Sequence, residues 1–191
     1  SRGLGDVYKR QVQAQKPDRL EKMIENQPFA VDLTDPNRFQ MRIARDGTWY
    51  HQGTPIRRLA LAKLFATVLR READGEYWLV TPVERGRIEV EDAPFTVVDM
   101  TVEGEGKDQV LCFKTNFDEI VRADADHPLR LAKNAETEEP SPYITVRDNL
   151  EALITRSTFY DLVDLAYAQW DGDEGRLGIW SGGFLIELGS T

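Results

Sequence analysis

Residues 55–69 (PIRRLALAKLFATVL) and residues 153–167 (LITRSTFYDLVDLAY) carry the same amphipathic pattern. In both stretches an isoleucine is followed two residues later by an arginine, and then by apolar residues spaced to form one face of a helix. The matched positions keep a constant interval of 98 residues. The pattern therefore predicts two helices, roughly 57–70 and 157–168, and an internal duplication.

The arginines Arg58 and Arg156 open the two predicted helices. A cation in the first turn opposes the helix macrodipole, so an anion is expected nearby. That anion is either an acidic side chain, with Glu84 and Glu151 as candidates, or a bound ligand that also uses the free helix N–H groups. Both alternatives stay open from the sequence.

Strand-like segments surround both helices. Asp46-Gly47 is a hairpin signal between MRIA and TWYH. From Tyr77 onward apolar residues alternate with polar ones in short runs separated by Gly, Pro and Asp. These runs predict an antiparallel meander that packs one face on a helix, with VEGEGKDQV as one hairpin loop. The expected fold class is α+β, built from two related helix-plus-antiparallel-sheet units.

The chain divides into four predicted segments. Residues 1–11 lack periodicity, and DVYKRQ resembles a translated sequencing adapter, so this segment is expected to be non-native read-through. Residues 12–39 are expected to hold a short helix at 17–26 and an irregular lead-in. The first helix-plus-sheet unit is then expected over 40–100 and the second over 101–191.

A second pair of arginines precedes the helices. Arg45 in IARDG and Arg147 in TVRDN are each followed by Asp and then Gly or Asn. They are candidate ligand-binding residues, and a simple turn is the alternative because these residue types favour turns.

Aromatic residues are dense around the first helix. Trp49, Tyr50 and Trp78 are candidates for stacking on a nucleotide base, whereas burial in the core is the alternative for aromatic residues in strands.

The composition limits the classes of partner. The formal net charge is −9, so the phosphates of a nucleic acid polymer and an anionic membrane surface would be repelled. The single cysteine, Cys112, excludes an internal disulfide and lies in the apolar run VLCF, as expected for a buried residue. No cofactor is expected, and the expected location is cytoplasmic.

No catalytic motif is present. The two histidines, His51 and His127, lack metal-ligand spacing, and Ser181 in IWSGGF lacks the G-x-S-x-G elbow. Glu91 and Asp92 are adjacent, and adjacent residues of a strand point to opposite faces. We therefore expect neither an enzyme nor a metal site.

The ordered phrases DGTWYHQGTPI, RLALAKLFATVLRR, YWLVTPVERGRIEVEDAPF and LEALITRSTFYDLV resemble a bacterial family, domain of unknown function 1285, over about residues 41–183. The resemblance implies a duplicated α+β core whose second half is superficially similar to pleckstrin-homology folds. It also implies a cleft between the halves for a nucleotide-like ligand, in a signalling context.

Two main functions follow from these observations. In the first, a non-enzymatic sensor binds an anionic, nucleotide-like molecule through Arg58 and Arg156. The second is a protein-interaction module that presents a strand edge of the pleckstrin-like half to a signalling partner. A metal-dependent phosphate-ester hydrolase is a third alternative.

Overall fold

The computed structural model of the protein describes residues 35–134 and 137–189. The predicted read-through segment, 1–11, and the predicted short helix, 17–26, lie outside the described residues.

The chain forms two compact units. Of the described residues, the first unit comprises 35–42 and 49–89, and the second comprises 43–48 and 90–189. The predicted boundary between residues 100 and 101 lies later in the chain than this division. The short turn 43–48 belongs to the second unit, which matters for the site described below.

The first unit contains one six-stranded sheet and one helix. Its elements are β1 (Met41–Ile43), β2 (Trp49–His51), β3 (Thr54–Pro55), α1 (Leu59–Thr67), β4 (Leu69–Arg71), β5 (Tyr77–Val80) and β6 (Arg85–Val90). The strand order is β3-β2-β1-β6-β5-β4. Strands β1 and β2 are the predicted hairpin: Gly47 has a φ of 85°, and its N–H bonds to the carbonyl of Ala44 at 2.9 Å.

Helix α1 is shorter than predicted, because its expected last turn belongs to a strand. Residues Leu69–Arg71 pair antiparallel with Tyr77–Leu79. Asp74 and Gly75 make the connecting turn, in which Gly75 has a φ of 87° and the Glu72 N–H bonds to the Glu76 carbonyl. A second Asp-Gly hairpin therefore overrides the helical periodicity of this stretch.

The second unit contains a six-stranded sheet, a helix and a two-stranded sheet. Its elements are β7 (Phe95–Glu103), β8 (Val110–Thr115), β9 (Ile120–Arg122), β10 (Leu129–Lys133), β11 (Pro140–Arg147), β12 (Leu150–Ile154), α2 (Arg156–Gln169), β13 (Leu177–Ser181) and β14 (Phe184–Gly189). Helix α2 agrees with the predicted helix to within one residue at each end. VEGEGKDQV forms the connection of the β7–β8 hairpin, as predicted.

The large sheet is not the predicted simple meander. Its order is β10-β11-β12-β7-β8-β9, and β12 pairs parallel with β7. Two three-stranded meanders are therefore joined side by side. Long-range pairing of this kind leaves no local signal, because the sequence between β7 and β12 contains four other strands.

The connection between β9 and β10 requires this sheet to curve. The two strands lie at opposite edges, five strand spacings apart, which is roughly 24 Å in a flat sheet. Across the sheet, Arg122 lies level with Thr101 of β7, and Leu129 lies level with Phe95 of the same strand. The two ends of the connection are therefore also offset along the strand direction by six residues, roughly 20 Å. Only six residues separate Arg122 from Leu129, and a chain of that length reaches at most roughly 25 Å.

The architecture is α+β, with two helices and three sheets in the described residues. No helix in the described part of the chain is long and apolar enough to cross a membrane.

Candidate functional site

A cleft of about 470 Å³ opens on the surface of the second unit. Strands β11 and β12, the first turn of α2 and the turn 43–48 supply its walls. Its lining residues are Arg45, Asn134, Thr137, Glu139, Pro140, Ser141, Pro142, Leu153, Ile154, Thr155, Arg156, Phe159 and Tyr160. Two of the predicted site residues, Arg45 and Arg156, thus line the same cleft.

Arg156 is the first residue of α2, and its acidic partner is Glu139. The pairing of Tyr143 with Leu153 and of Ile144 with Ala152, continued along the strands, places Pro140 opposite Arg156. Arg156 Nη2 accordingly lies 2.8 Å from Glu139 Oε2, and both side chains are exposed. The partner considered from the sequence, Glu151, is instead bound by Arg130.

Arg45 is held by two acidic residues that follow β6. Its backbone N–H donates to Glu91 Oε2 at 2.9 Å, and its Nε lies 3.5 Å from Asp92 Oδ2. The expectation that Glu91 and Asp92 point to opposite faces is wrong, because both lie beyond the end of the strand, in a bend. Asp92 is also the acceptor for the hydroxyl of Tyr143, at 2.6 Å.

The first turn of α2 faces the cleft without an acidic side chain. Thr155 is the N-cap residue, but its side chain accepts no hydrogen bond from a backbone N–H of the helix. Its hydroxyl instead donates to the Thr158 hydroxyl at 3.1 Å. The positive end of the helix dipole therefore adds to the charge of Arg156 on this wall.

The rest of the wall combines hydroxyl groups with apolar surface. Thr137, Ser141 and Thr155 supply hydroxyl groups, while Tyr160 is 57% exposed beside the buried ring of Phe159. This mixture can bind both a polar and a flat apolar part of one small molecule.

A charged cluster spans the neighbouring strands β10, β11 and β12. Arg130 makes two hydrogen bonds to the Glu151 carboxylate, at 2.9 and 2.8 Å, and its guanidinium lies 4.5 Å from the centre of the Tyr143 ring. Burial raises the pKa of Tyr143 to about 12, and the hydrogen bond to Asp92 adds to this shift. Tyr143 therefore stays protonated as the donor to Asp92 over the physiological pH range.

The other predicted site residues do not line this cleft. Arg147 lies over the ring of Phe95, with 5.3 Å between the guanidinium carbon and the ring centre. Arg58 is the N-cap residue of α1 in the first unit.

The three predicted stacking aromatics all belong to the first unit. Trp49 is 1% exposed and stacks on Phe65 with 6.3 Å between ring centres, so the prediction that it contacts a ligand is wrong. Guanidinium groups lie over the other two rings: Arg42 is 4.3 Å from the centre of Tyr50, and Arg85 is 4.3 Å from that of Trp78.

Sequence reasoning missed Tyr143, Arg130 and Glu139, and it considered Asp92 only as part of an acid pair. Their association depends on the register of β10, β11 and β12, which no local pattern reveals. For Glu139 the sequence offered one indication of an arginine partner, the acidic run around this residue just before a predicted strand.

No group of three His, Cys, Asp or Glu side chains in residues 35–134 and 137–189 is arranged to hold a metal ion. Ser181, which lacked the sequence of a nucleophile elbow, is buried. Its hydroxyl donates to the Ala123 carbonyl at 2.6 Å and accepts from the Leu111 N–H at 2.9 Å, so both hydrogen-bonding roles serve the fold.

The two units correspond to two family models. Residues 31–93 match the N-terminal domain of domain of unknown function 1285 (DUF1285), and residues 94–188 match the C-terminal domain of this protein family of unknown function. No curated protein matches the chain significantly.

Two solved structures are similar. A DUF1285 family protein from Silicibacter pomeroyi DSS-3 is 44% identical, with a TM-score of 0.73, over 87% of this chain and 90% of that one. A DUF1285 family protein from Shewanella baltica OS155 is 29% identical, with a TM-score of 0.52, over 65% of this chain and 90% of that one. Both domain models and both structures give the same result: the chain belongs to the DUF1285 family.

Proposed function

We propose that the protein is a non-enzymatic binding protein that takes an anionic, nucleotide-like small molecule in the cleft of its second unit. The observation that carries this proposal is that Arg45 and Arg156 line the same cleft, although 110 residues separate them in an acidic chain. Two guanidinium groups that line one cleft are suited to phosphate, because each offers several N–H donors in a fixed plane.

The cleft has the size and surface of a small-molecule site. Its volume of about 470 Å³ lies within the usual range of ligand pockets, roughly 300–1,000 Å³. Arg156 and the N-terminus of α2 would bind the anionic group, while Tyr160 and Phe159 offer aromatic and apolar surface for a base or sugar.

We propose four further properties of the protein. They are an internal duplication, a pleckstrin-homology-like second half, a signalling role and a cytoplasmic location. Support for the duplication is the repeated helix pattern, together with a six-stranded sheet in each unit. Arg58 and Arg147 are not needed for binding in this cleft.

A thermal-shift screen with nucleotides, including cyclic and dinucleotide forms, tests the proposal. A ligand that binds only the native state at a hundredfold excess over Kd stabilises the protein by about 2.7 kcal/mol. We expect the double variant Arg45→Ala/Arg156→Ala to lose the shift. Arg122→Ala is the matched control, because Arg122 is also an exposed arginine paired with one glutamate, Glu103. A shift retained in the folded double variant would contradict the proposal.

An interaction module is the alternative, and one observation favours it. Strand β14 pairs only with β13 among the described residues, and it carries Phe184, which is 54% exposed, next to the exposed Leu185. A partner strand added to this edge would place its own side chains beside Phe184 on one face and beside Leu185 on the other. Retention of a specific bacterial protein by the wild type but not by Phe184→Asp would support this role, and equal retention by both would count against it.

A further inference from the structure

We infer that the two acidic residues paired with the cleft arginines have opposite roles: Glu139 competes with the ligand for Arg156, whereas Asp92 positions Arg45 to receive it. This inference rests on the proposed function and concerns the regulation of the same site. Its basis is a difference in burial and in anchoring between the two carboxylates.

Glu139 is a weakly held counterion. Its side chain is 62% exposed, and in the part of the chain that the structure describes its carboxylate contacts only Arg156. An exposed pair of this kind contributes little stability, because water and salt screen it. An incoming anion can therefore replace the carboxylate without leaving a buried charge unpaired.

Asp92 is held from two sides. Its side chain is only 15% exposed, one carboxylate oxygen accepts the Tyr143 hydroxyl at 2.6 Å, and the other lies 3.5 Å from Arg45 Nε. Displacing this carboxylate would leave the Tyr143 hydroxyl without its acceptor, at a larger cost than for an exposed pair. Asp92 therefore stays in place when an anion binds.

The two pairs leave different donors available. Asp92 contacts the Nε of Arg45, and the two terminal nitrogens of that guanidinium have no partner among the described residues. They can bind an oxyanion while Asp92 fixes the side chain. At Arg156 the negative charge of Glu139 repels the same oxyanion, so binding there requires exchange. The chemistry favours a ligand with at least two charged oxygens, such as a diphosphate group.

The test uses inorganic pyrophosphate as the probe and isothermal titration calorimetry on the full chain. Glu139→Gln removes the competing charge, and Glu103→Gln, at an exposed pair with Arg122, is the control for the same change in net charge. We expect Glu139→Gln to bind pyrophosphate about fivefold more tightly than Glu103→Gln. Asp92→Asn and Tyr143→Phe should instead bind several-fold more weakly than the wild type, and Tyr143→Phe does so without any change in charge.

Each outcome decides the inference. Equal affinities of Glu139→Gln and Glu103→Gln would overturn competition by Glu139, and tighter binding by Asp92→Asn would overturn positioning by Asp92. Absence of pyrophosphate binding in every variant would also overturn the inference. The nucleotide screen on the wild type decides the proposed function separately, since a nucleotide can bind there even if pyrophosphate alone does not.

Discussion

The Tyr143 hydroxyl donates a 2.6 Å hydrogen bond to Asp92, a residue 51 positions away in the chain. The bond joins strand β11 to the segment after β6, and Asp92 in turn pairs with Arg45. A side chain of β11, the strand next to the edge of the sheet, thereby anchors the turn that brings Arg45 to the cleft.

The loss of this bond should destabilise the second unit. Tyr143→Phe leaves the partly buried Asp92 carboxylate without its best donor, so we expect the free energy of unfolding to fall by about 1.5 kcal/mol. Urea denaturation followed by circular dichroism measures this change. Tyr160→Phe is the control, since its side chain is exposed, and it should have no effect. Equal stability of Tyr143→Phe and wild type would show that the bond contributes nothing.

The same bond predicts a pH dependence. The pKa of Tyr143 is raised from 10.0 to about 12 by burial and by Asp92. Between these values the unfolded chain loses the tyrosine proton while the folded chain keeps it, so rising pH favours unfolding. The stabilisation by Tyr143 should be complete below pH 10 and disappear as the pH rises towards 12. The difference in unfolding free energy between wild type and Tyr143→Phe, measured at several pH values, should shrink over that interval and stay constant below it.

Arg130 and Glu151 should contribute more than the exposed pairs of this unit. The two hydrogen bonds between them have fork geometry, and Glu151 is mostly buried. A double-mutant cycle with alanine should give a coupling energy of about 1 kcal/mol, against about 0.3 kcal/mol for the exposed pair Arg122–Glu103. A coupling energy no larger than that of the exposed pair would mean that the fork geometry adds no stability.

Gly47 should not accept a side chain. Its φ is +85°, and a Cβ atom there would lie 2.8 Å from Asn116 Nδ2. Gly47→Ala therefore combines backbone strain with a steric clash, and we expect a loss of about 2–3 kcal/mol. Gly106→Ala separates the two effects, because Gly106 also has a positive φ, of +60°, but a Cβ there would meet no atom within 4 Å. If both variants lose a similar amount of stability, backbone strain alone accounts for the effect at Gly47, and the steric clash contributes nothing.

The sequence predicted those features that depend on local chemistry. Helix α2 and the turn at Gly47 follow from periodicity and from the backbone freedom of glycine, and both are confirmed. The predicted end of α1 is wrong. Leu69–Arg71 continues the helical period in the sequence, but the turn at Gly75 brings this segment against β5, with which it pairs as a strand. Two local signals competed there, and pairing between strands decided the outcome.

The site was less predictable, because it depends on contacts between distant segments. Arg45 and Arg156 were identified by their positions beside the repeated helix, but that rule also selected Arg58 and Arg147, which do not line the cleft. The parallel pairing of β12 with β7 and the register of β11 decide which residues meet. Trp49 shows the same limit, since strand aromatics of the core and of a ligand site have the same sequence pattern.

Ser181 provides a test of how the small sheet is attached to the large one. Its buried hydroxyl bonds to the Leu111 N–H in β8 and to the Ala123 carbonyl just after β9. Ser181→Ala leaves both backbone groups without this partner in a buried position, so we expect the free energy of unfolding to fall by about 2 kcal/mol. Ser157→Ala is the control, because Ser157 is exposed on α2.

Hydrogen exchange locates the effect of Ser181→Ala. Since the serine binds β8 through the Leu111 amide, that amide should lose protection in Ser181→Ala, while the amides of β11 and β12 should change little. A uniform loss of protection across the second unit would instead show that the small sheet and the large sheet unfold together. Unchanged protection at Leu111 would mean that the serine hydroxyl does not hold the two sheets together.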